Sequence, residues 1–134
     1  MTQLVRDAMV SEPLALDAEA SAQEAGEVLT RAQVRAVLVT DGGRLVGVIT
    51  RKTLVREVVA RGLDPRTTTL REIAEPPNYT LDSSMPLDDA FALLEEQDLE
   101  RVPVVEREKL VGVLSRAVVR RRLAEDSPPP DPEE

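Results

Sequence analysis

The chain has 134 residues, a formal net charge of −8 and 42% hydrophobic residues, nearly all aliphatic, with Tyr79 and Phe91 the only aromatics. With no His and no Cys, the usual general base at neutral pH, thiol nucleophiles, Cys/His zinc sites and disulfides are excluded. An acidic body with two aromatics gives nucleic acid neither a basic stripe nor stacking platforms, and no apolar run approaches the roughly 18 residues of a membrane span or resembles a signal peptide.

These features predict a soluble, cytoplasmic protein with no membrane and no nucleic-acid partner. The Arg120-Arg121-Arg122 run reads as a solvated helix end balanced against the C-terminal dipole.

In chain order, Leu4–Met9 reads as a short helical hook and Pro13–Asp17 as an extended piece ending on a turn-forming Asp. A helix is predicted from Ser21, with Glu24 completing a capping box and Ala22, Ala25, Val28, Leu29 and Ala32 on the buried face. Gly26 weakens that helix, and close approach of a neighbouring helix is one reason for it. A hairpin follows, Ala36–Thr40 and Leu45–Ile49, turning through Asp41-Gly42-Gly43-Arg44. Thr50 then caps a helix whose stripe is Leu54, Val55, Val58 and Val59, stopped by Gly62 and Asp64-Pro65.

The same order then recurs. Leu45-Val46-Gly47-Val48-Ile49-Thr50-Arg51 has a close copy 65 residues later, Leu110-Val111-Gly112-Val113-Leu114-Ser115-Arg116, and residue n aligns with n + 65 without a gap up to the last helix. Thr69–Ala74 repeats the hook and Asn78–Asp82 the extended piece. Pro86 opens a helix with Leu87, Ala90, Phe91 and Leu94 on one face, and Val102–Val105 pairs with Leu110–Leu114. The second hairpin turns through Glu106-Arg107-Glu108-Lys109 without glycine, which predicts a looser turn; Pro103 is expected at a strand start or edge. Val118, Val119 and Leu123 line the last helix. The repeats are read as 1–65 and 66–123, with 124–134 a disordered, acidic, Pro-rich tail. Units this small bury little apolar surface alone, so homodimerisation through apolar helix faces is expected.

Each repeat thus ends a strand on a hydroxyl residue where a helix begins. A helix N-terminus leaves N–H groups unpaired and favours an anion, yet Ser and Thr are also ordinary caps, and both readings stay open for Thr50 and Ser115. Arg51 and Arg116 put a cation in the first helical turn, against the dipole, and ask for a partner: a phosphate or a neighbouring carboxylate. Lys52 adds a cation only in the first repeat. Gly47 and Gly112 read as sites of close backbone approach. Glu95, Glu96, Asp98 and Glu100 scatter around a helix end and do not form a metal site.

This tandem of hook, strand, helix, hairpin and helix, with Gly-hydrophobic-hydrophobic-Thr/Ser closing each hairpin, resembles a pair of CBS domains over residues 4–123. The resemblance implies an α/β (α+β) fold of two β-α-β-β-α repeats about a pseudo-two-fold, small sheets facing each other and helices outside. It implies two clefts between the repeats that take an adenine nucleotide (AMP, ADP or ATP) or S-adenosylmethionine. By position, Thr50 and Ser115 would meet phosphate, with Arg51, Lys52 and Arg116 beside them. Ala36, Val37, Arg101 and Val102 would contact the base, and Pro13-Leu14 and Asn78-Tyr79 would wall the clefts. Tyr79 fits either a ring cover or plain packing.

The family's ribose-binding Asp, three residues past the hydroxyl, is here Thr53 and Val118. Val118 forfeits a carboxylate hydrogen bond of about 1.5–3 kcal/mol, Thr53 supplies a hydroxyl in part replacement, and the Thr50 cleft ranks first. The expected function is non-catalytic ligand sensing for a separate regulated protein. The rival is an interaction module with degenerate clefts.

Overall fold

The computed structural model describes residues 3–126 as alternating short strands and helices of a mixed α/β chain. Two compact units form, and neither is a continuous half of the sequence. One gathers Pro13–Asn78 with Arg107–Leu110; of the described residues, the other gathers 3–12, Tyr79–Glu106 and 111–126. The hook that precedes each repeat therefore belongs with the other repeat.

In the unit built on Pro13–Asn78, β2 (Ala15–Asp17) runs parallel to β3 (Val37–Asp41), which pairs antiparallel with β4 (Arg44–Ile49). The pairing Val37↔Ile49 holds to Val39↔Gly47, then shifts by one residue before Thr40↔Leu45, a bulge at Val46. Gly42 and Gly43 turn the hairpin at φ +59° and +86°, a left-handed pair that suits strand twist and that glycine adopts without penalty. Helix α2 (Ala22–Leu29) starts where Ser21 Oγ accepts from Glu24 N at 3.2 Å. Then come α3 (Arg51–Leu54), a π-helical turn (Val55–Val59) and α4 (Leu70–Ile73). Ala22, Ala25, Leu29, Val37, Val39, Ile49, Val58, Leu70 and Ile73 share one core. The hook is seated by Val48 N to Glu75 O at 2.8 Å and Glu75 N to Val48 O at 3.0 Å. A Cβ on Gly47 would lie 2.6 Å from Ala74 Cβ.

The other unit mirrors this. Helix α1 (Val5–Ala8) leads to β1 (Val10–Ser11), which pairs antiparallel with β7 (Lys109–Ser115) through Val10↔Val113 and Ser11↔Gly112. A Cβ on Gly112 would meet Val10 O and Met9 Sδ, each at 2.7 Å. Strand β5 (Leu81–Asp82) runs parallel to β6 (Arg101–Glu106), and α5 (Leu87–Glu96) and α6 (Arg116–Asp126) complete the unit. Val5, Ala8, Leu81, Leu87, Ala90, Leu94, Val102, Val104, Leu114 and Val119 form its core.

Several expectations are corrected. Ala32 is not on the buried stripe: α2 stops at Leu29, Thr30 Oγ1 caps Glu27 O at 2.6 Å, and Ala32 is an exposed turn residue. Val55 and Val59 are exposed, at 57% and 71%, because the π-helical turn changes the facing of the stripe and buries only Val58. The second hairpin turn is not looser. Arg107 and Glu108 take φ +52° and +70°, the geometry that glycine takes in the first, with Glu108 O accepting from Leu45 N at 3.2 Å. Pro103 agrees with the expected edge position: it is the third residue of β6, on the stretch before pairing with β5 begins at Val104. Gly26 is not forced by close approach, since a Cβ there would meet Leu54 Cδ1 at an ordinary 3.7 Å. Of the expected tail, Ala124–Asp126 are helical and 127–134 lie outside the described residues.

Two predictions follow from these contacts. Gly47→Ala and Gly112→Ala should each destabilise by about 1–3 kcal/mol in urea unfolding, because the hook must move away. Gly26→Ala should stabilise by up to about 1 kcal/mol, since the helix gains propensity and the added methyl has room.

Candidate functional site

In the unit holding Thr50, three strand ends meet at one edge. Leu38 N donates to Leu14 O at 3.3 Å, and Val37 pairs with Ile49, so Pro13-Leu14, Ala36-Val37 and Thr50 come together. Val37 is buried, Pro13 and Ala36 are half-buried, and Leu14 is exposed. Main chain and aliphatic side chain dominate this edge, and the polar group at its end is the Thr50 hydroxyl.

Thr50 and Thr53 close a reciprocal cap. Thr53 N donates to Thr50 Oγ1 at 3.2 Å, Thr50 N donates to Thr53 Oγ1 at 3.1 Å, and the two hydroxyl oxygens are 3.0 Å apart. Thr53 is fully buried. Either hydroxyl can donate to the other, so the pair satisfies the buried Thr53 oxygen within the cap. Thr50 is half-buried where Thr53 is fully buried, so of the two hydroxyls it is the one nearer the open strand ends. Thr53 itself is engaged in the cap, through its backbone N–H and its hydroxyl.

Arg51 Nη2 donates to Arg31 O at 2.9 Å, which holds the guanidinium over the loop between α2 and β3. Lys52 is exposed. Among the described residues, neither has a carboxylate partner.

In the other unit, Tyr79, Arg101-Val102 and Ser115 occupy the equivalent edge. The register Leu81↔Val104 carries Tyr79 alongside Val102, and Arg116 N donates to Glu100 O at 2.9 Å, which joins the start of β6 to the end of β7. Tyr79 is exposed and its hydroxyl donates to Gln97 Oε1 at 2.9 Å, a partner within its own unit. Val102 is buried and Arg101 exposed. Ser115 lacks a reciprocal cap, because half-buried Val118 stands where Thr53 stands in the first repeat.

Arg116 answers the question that its position raised. Its guanidinium, only 13% exposed, bonds Asp98 Oδ1 at 3.1 Å, Glu100 Oε1 and Leu94 O, with Glu95 Oε2 at 3.9 Å. The hydrogen bond to Asp98 and then that to Glu100 raise its pKa against the pull of burial, so the cation is permanently charged and already neutralised. Sequence reading saw the acidic cluster and the cation separately; a loop closing onto a helix start brings them together. Among the described residues no group of three or more His, Cys, Asp or Glu is arranged to hold a metal ion. No helix among them is long and apolar enough to cross a membrane.

Comparison with known proteins gives this geometry its context. The CBS-domain profile matches residues 5–60 and 70–125. Hypoxic response protein 1 of Mycobacterium tuberculosis is 35% identical over 85 residues, 63% of this chain and 59% of its own length, so this chain spans less than two thirds of that relative. The solved structure of Hypoxic Response Protein I with two coordinated zinc ions is similar at a TM-score of 0.75 and 26% identity, covering 90% of this chain and 98% of that one. That of CBSX2 in complex with AMP is similar at 0.71 and 26%, covering 91% and 96%. Both halves of this sequence, with their matching strand, hydroxyl and helix junctions, belong to the CBS-domain family as a tandem pair.

Proposed function

We propose that this chain is a non-catalytic sensing module that binds an adenine nucleotide or related adenosyl ligand at the Thr50 edge. The observation that carries the reading is the half-buried Thr50 hydroxyl, capping the helix start at an edge of backbone and aliphatic side chain. A planar base suits apolar strand ends beside Leu14, Ala36 and Val37, where main-chain groups read its edge, and a phosphate accepts from Thr50. The AMP complex of a relative with 26% identity supports the choice of ligand class. Binding regulates a separate protein by favouring one conformation of the pair, which requires unequal affinity for the two states. An interaction module without ligand is the second reading, favoured by the neutralised Arg116 and by Val118 in the other repeat.

A homodimer forms through the α2 and π-helical face of the first repeat. Ala22, Gly26, Leu54, Val58, Val59 and Leu63 line an apolar groove of about 520 Å³ there, and Val55 and Val59 stand exposed beside it. In analytical ultracentrifugation the chain should sediment as a dimer at micromolar concentration and Val59→Glu as a monomer.

The ligand reading is tested by dye-monitored thermal unfolding against AMP, ADP, ATP and S-adenosylmethionine. A ligand that binds only the folded state, at one hundred times its dissociation constant, adds about 2.7 kcal/mol and raises the midpoint by several degrees. Thr50→Ala should cost about 1 kcal/mol through the lost cap and abolish the ligand shift, while Thr50→Ser keeps both. No shift with any of the four would transfer the case to the interaction module.

A further inference from the structure

The two repeats differ in charge at equivalent places of the sequence. The loop between α2 and β3 carries Thr30, Arg31, Gln33 and Arg35; 65 residues later the same places hold Glu95, Glu96, Asp98 and Glu100. In the second repeat three of those acids surround Arg116, and Arg101, the first residue of β6, follows them in the chain. In the first, Arg51 has no acid to meet and lies against the loop through its bond to Arg31 O. Arg35 and Arg51 each stand two residues beyond the Val37↔Ile49 pair, the equivalent of the contact made by Glu100 O and Arg116 N.

Arg31, Arg35, Arg51 and Lys52 are all exposed, and among the described residues none has a carboxylate partner. Four uncompensated cations around one strand edge, in a chain of net charge −8, repel one another unless an anion joins them. One phosphate on Thr50 satisfies one or two guanidinium or ammonium groups and leaves the others without a counter-charge.

We infer that the first repeat selects a ligand with two or more phosphates over a phosphate-free or cationic adenosyl compound, and that the second repeat, its cation already paired, has no anion site. This rests on the adenosyl reading above and names the ligand within it. The sulfonium of S-adenosylmethionine meets four like charges at this edge. A di- or triphosphate tail, by contrast, reaches from Thr50 across Arg51 and Lys52 to the Arg31 and Arg35 loop.

The test is calorimetric titration of the full chain with ATP, ADP, AMP, S-adenosylmethionine and inorganic tripolyphosphate at two salt concentrations. ATP should bind about tenfold or more tighter than AMP, at one site per chain, with affinity falling as salt rises. Arg35→Glu, which installs the second repeat's charge in the first, should weaken ATP roughly tenfold and AMP far less. Arg31→Gln should act in the same direction, and an unchanged thermal midpoint shows that either variant is folded. S-adenosylmethionine or AMP binding as tightly as ATP would overturn the inference and leave the adenosyl reading standing. Two ATP sites per chain would overturn the assignment to the first repeat. Tripolyphosphate binding without any nucleotide preference would uphold phosphate recognition and sink the adenosyl reading; no binding by any compound would sink both.

Discussion

Everything in this fold depends on a close backbone approach at two glycines. At Gly47 and Gly112 the strand that closes each hairpin is bare of a side chain, and the hook residues Ala74-Glu75 and Met9-Val10 lie where a Cβ would be. The approach lets main-chain hydrogen bonds form along the strand, Val48 with Glu75 and Val10 with Val113, and it drops the hook's apolar side chains into the core. Leu70 and Ile73 finish one core; Val5 and Ala8 finish the other. Burial of side chains the size of Leu or Ile is worth about 1.5–3 kcal/mol each, a large part of the margin by which a unit this small is stable. Each hook thus precedes one repeat in the sequence and completes the core of the other.

The same duplication sets up a division of labour. Once two copies of a strand-hydroxyl-helix junction exist, each can be altered without loss of the other. In the second copy an acidic loop folds over Arg116 and converts a cation facing the dipole into an internal tie between α5, β6 and α6. In the first copy the loop is basic and the cation stays open. Ion pairs at exposed positions add little stability, but the Arg116 group is mostly buried and multiply bonded, and loss of its acids would leave a desolvated charge unpaired. The second junction is therefore held by its own ion pairs, while among the described residues the cation of the first has no carboxylate partner.

Much of this was legible in the chain itself. Local chemistry determined the element order: the Asp41-Gly42-Gly43 turn, the Ser21 and Thr50 caps and the alternation of aliphatic runs act over a few residues and read the same in any context. The repeat spacing determined that there are two similar units, and the lack of His and Cys removed whole classes of chemistry. The limits of such reading show at Val55 and Val59, where helical spacing implied burial, and at Arg107-Glu108, where strand twist imposed a left-handed turn on residues that do not favour it.

What only the tertiary structure decided is which groups are spent and which are left over. Sequence spacing brought Thr50 and Thr53 within reach of each other, but only the folded chain buries Thr53 fully and leaves Thr50 half-buried. It displayed four acids before β6 and a cation after β7, but only the folded chain sets Asp98 and Glu100 on Arg116 while leaving Arg31 and Arg35 beside Arg51. Nor does a linear alignment of n with n + 65 disclose that each hook completes the other repeat. The reason is common to all three: pairing and burial depend on distances between residues far apart in the chain, and a pattern with a period of a few residues carries no information about them.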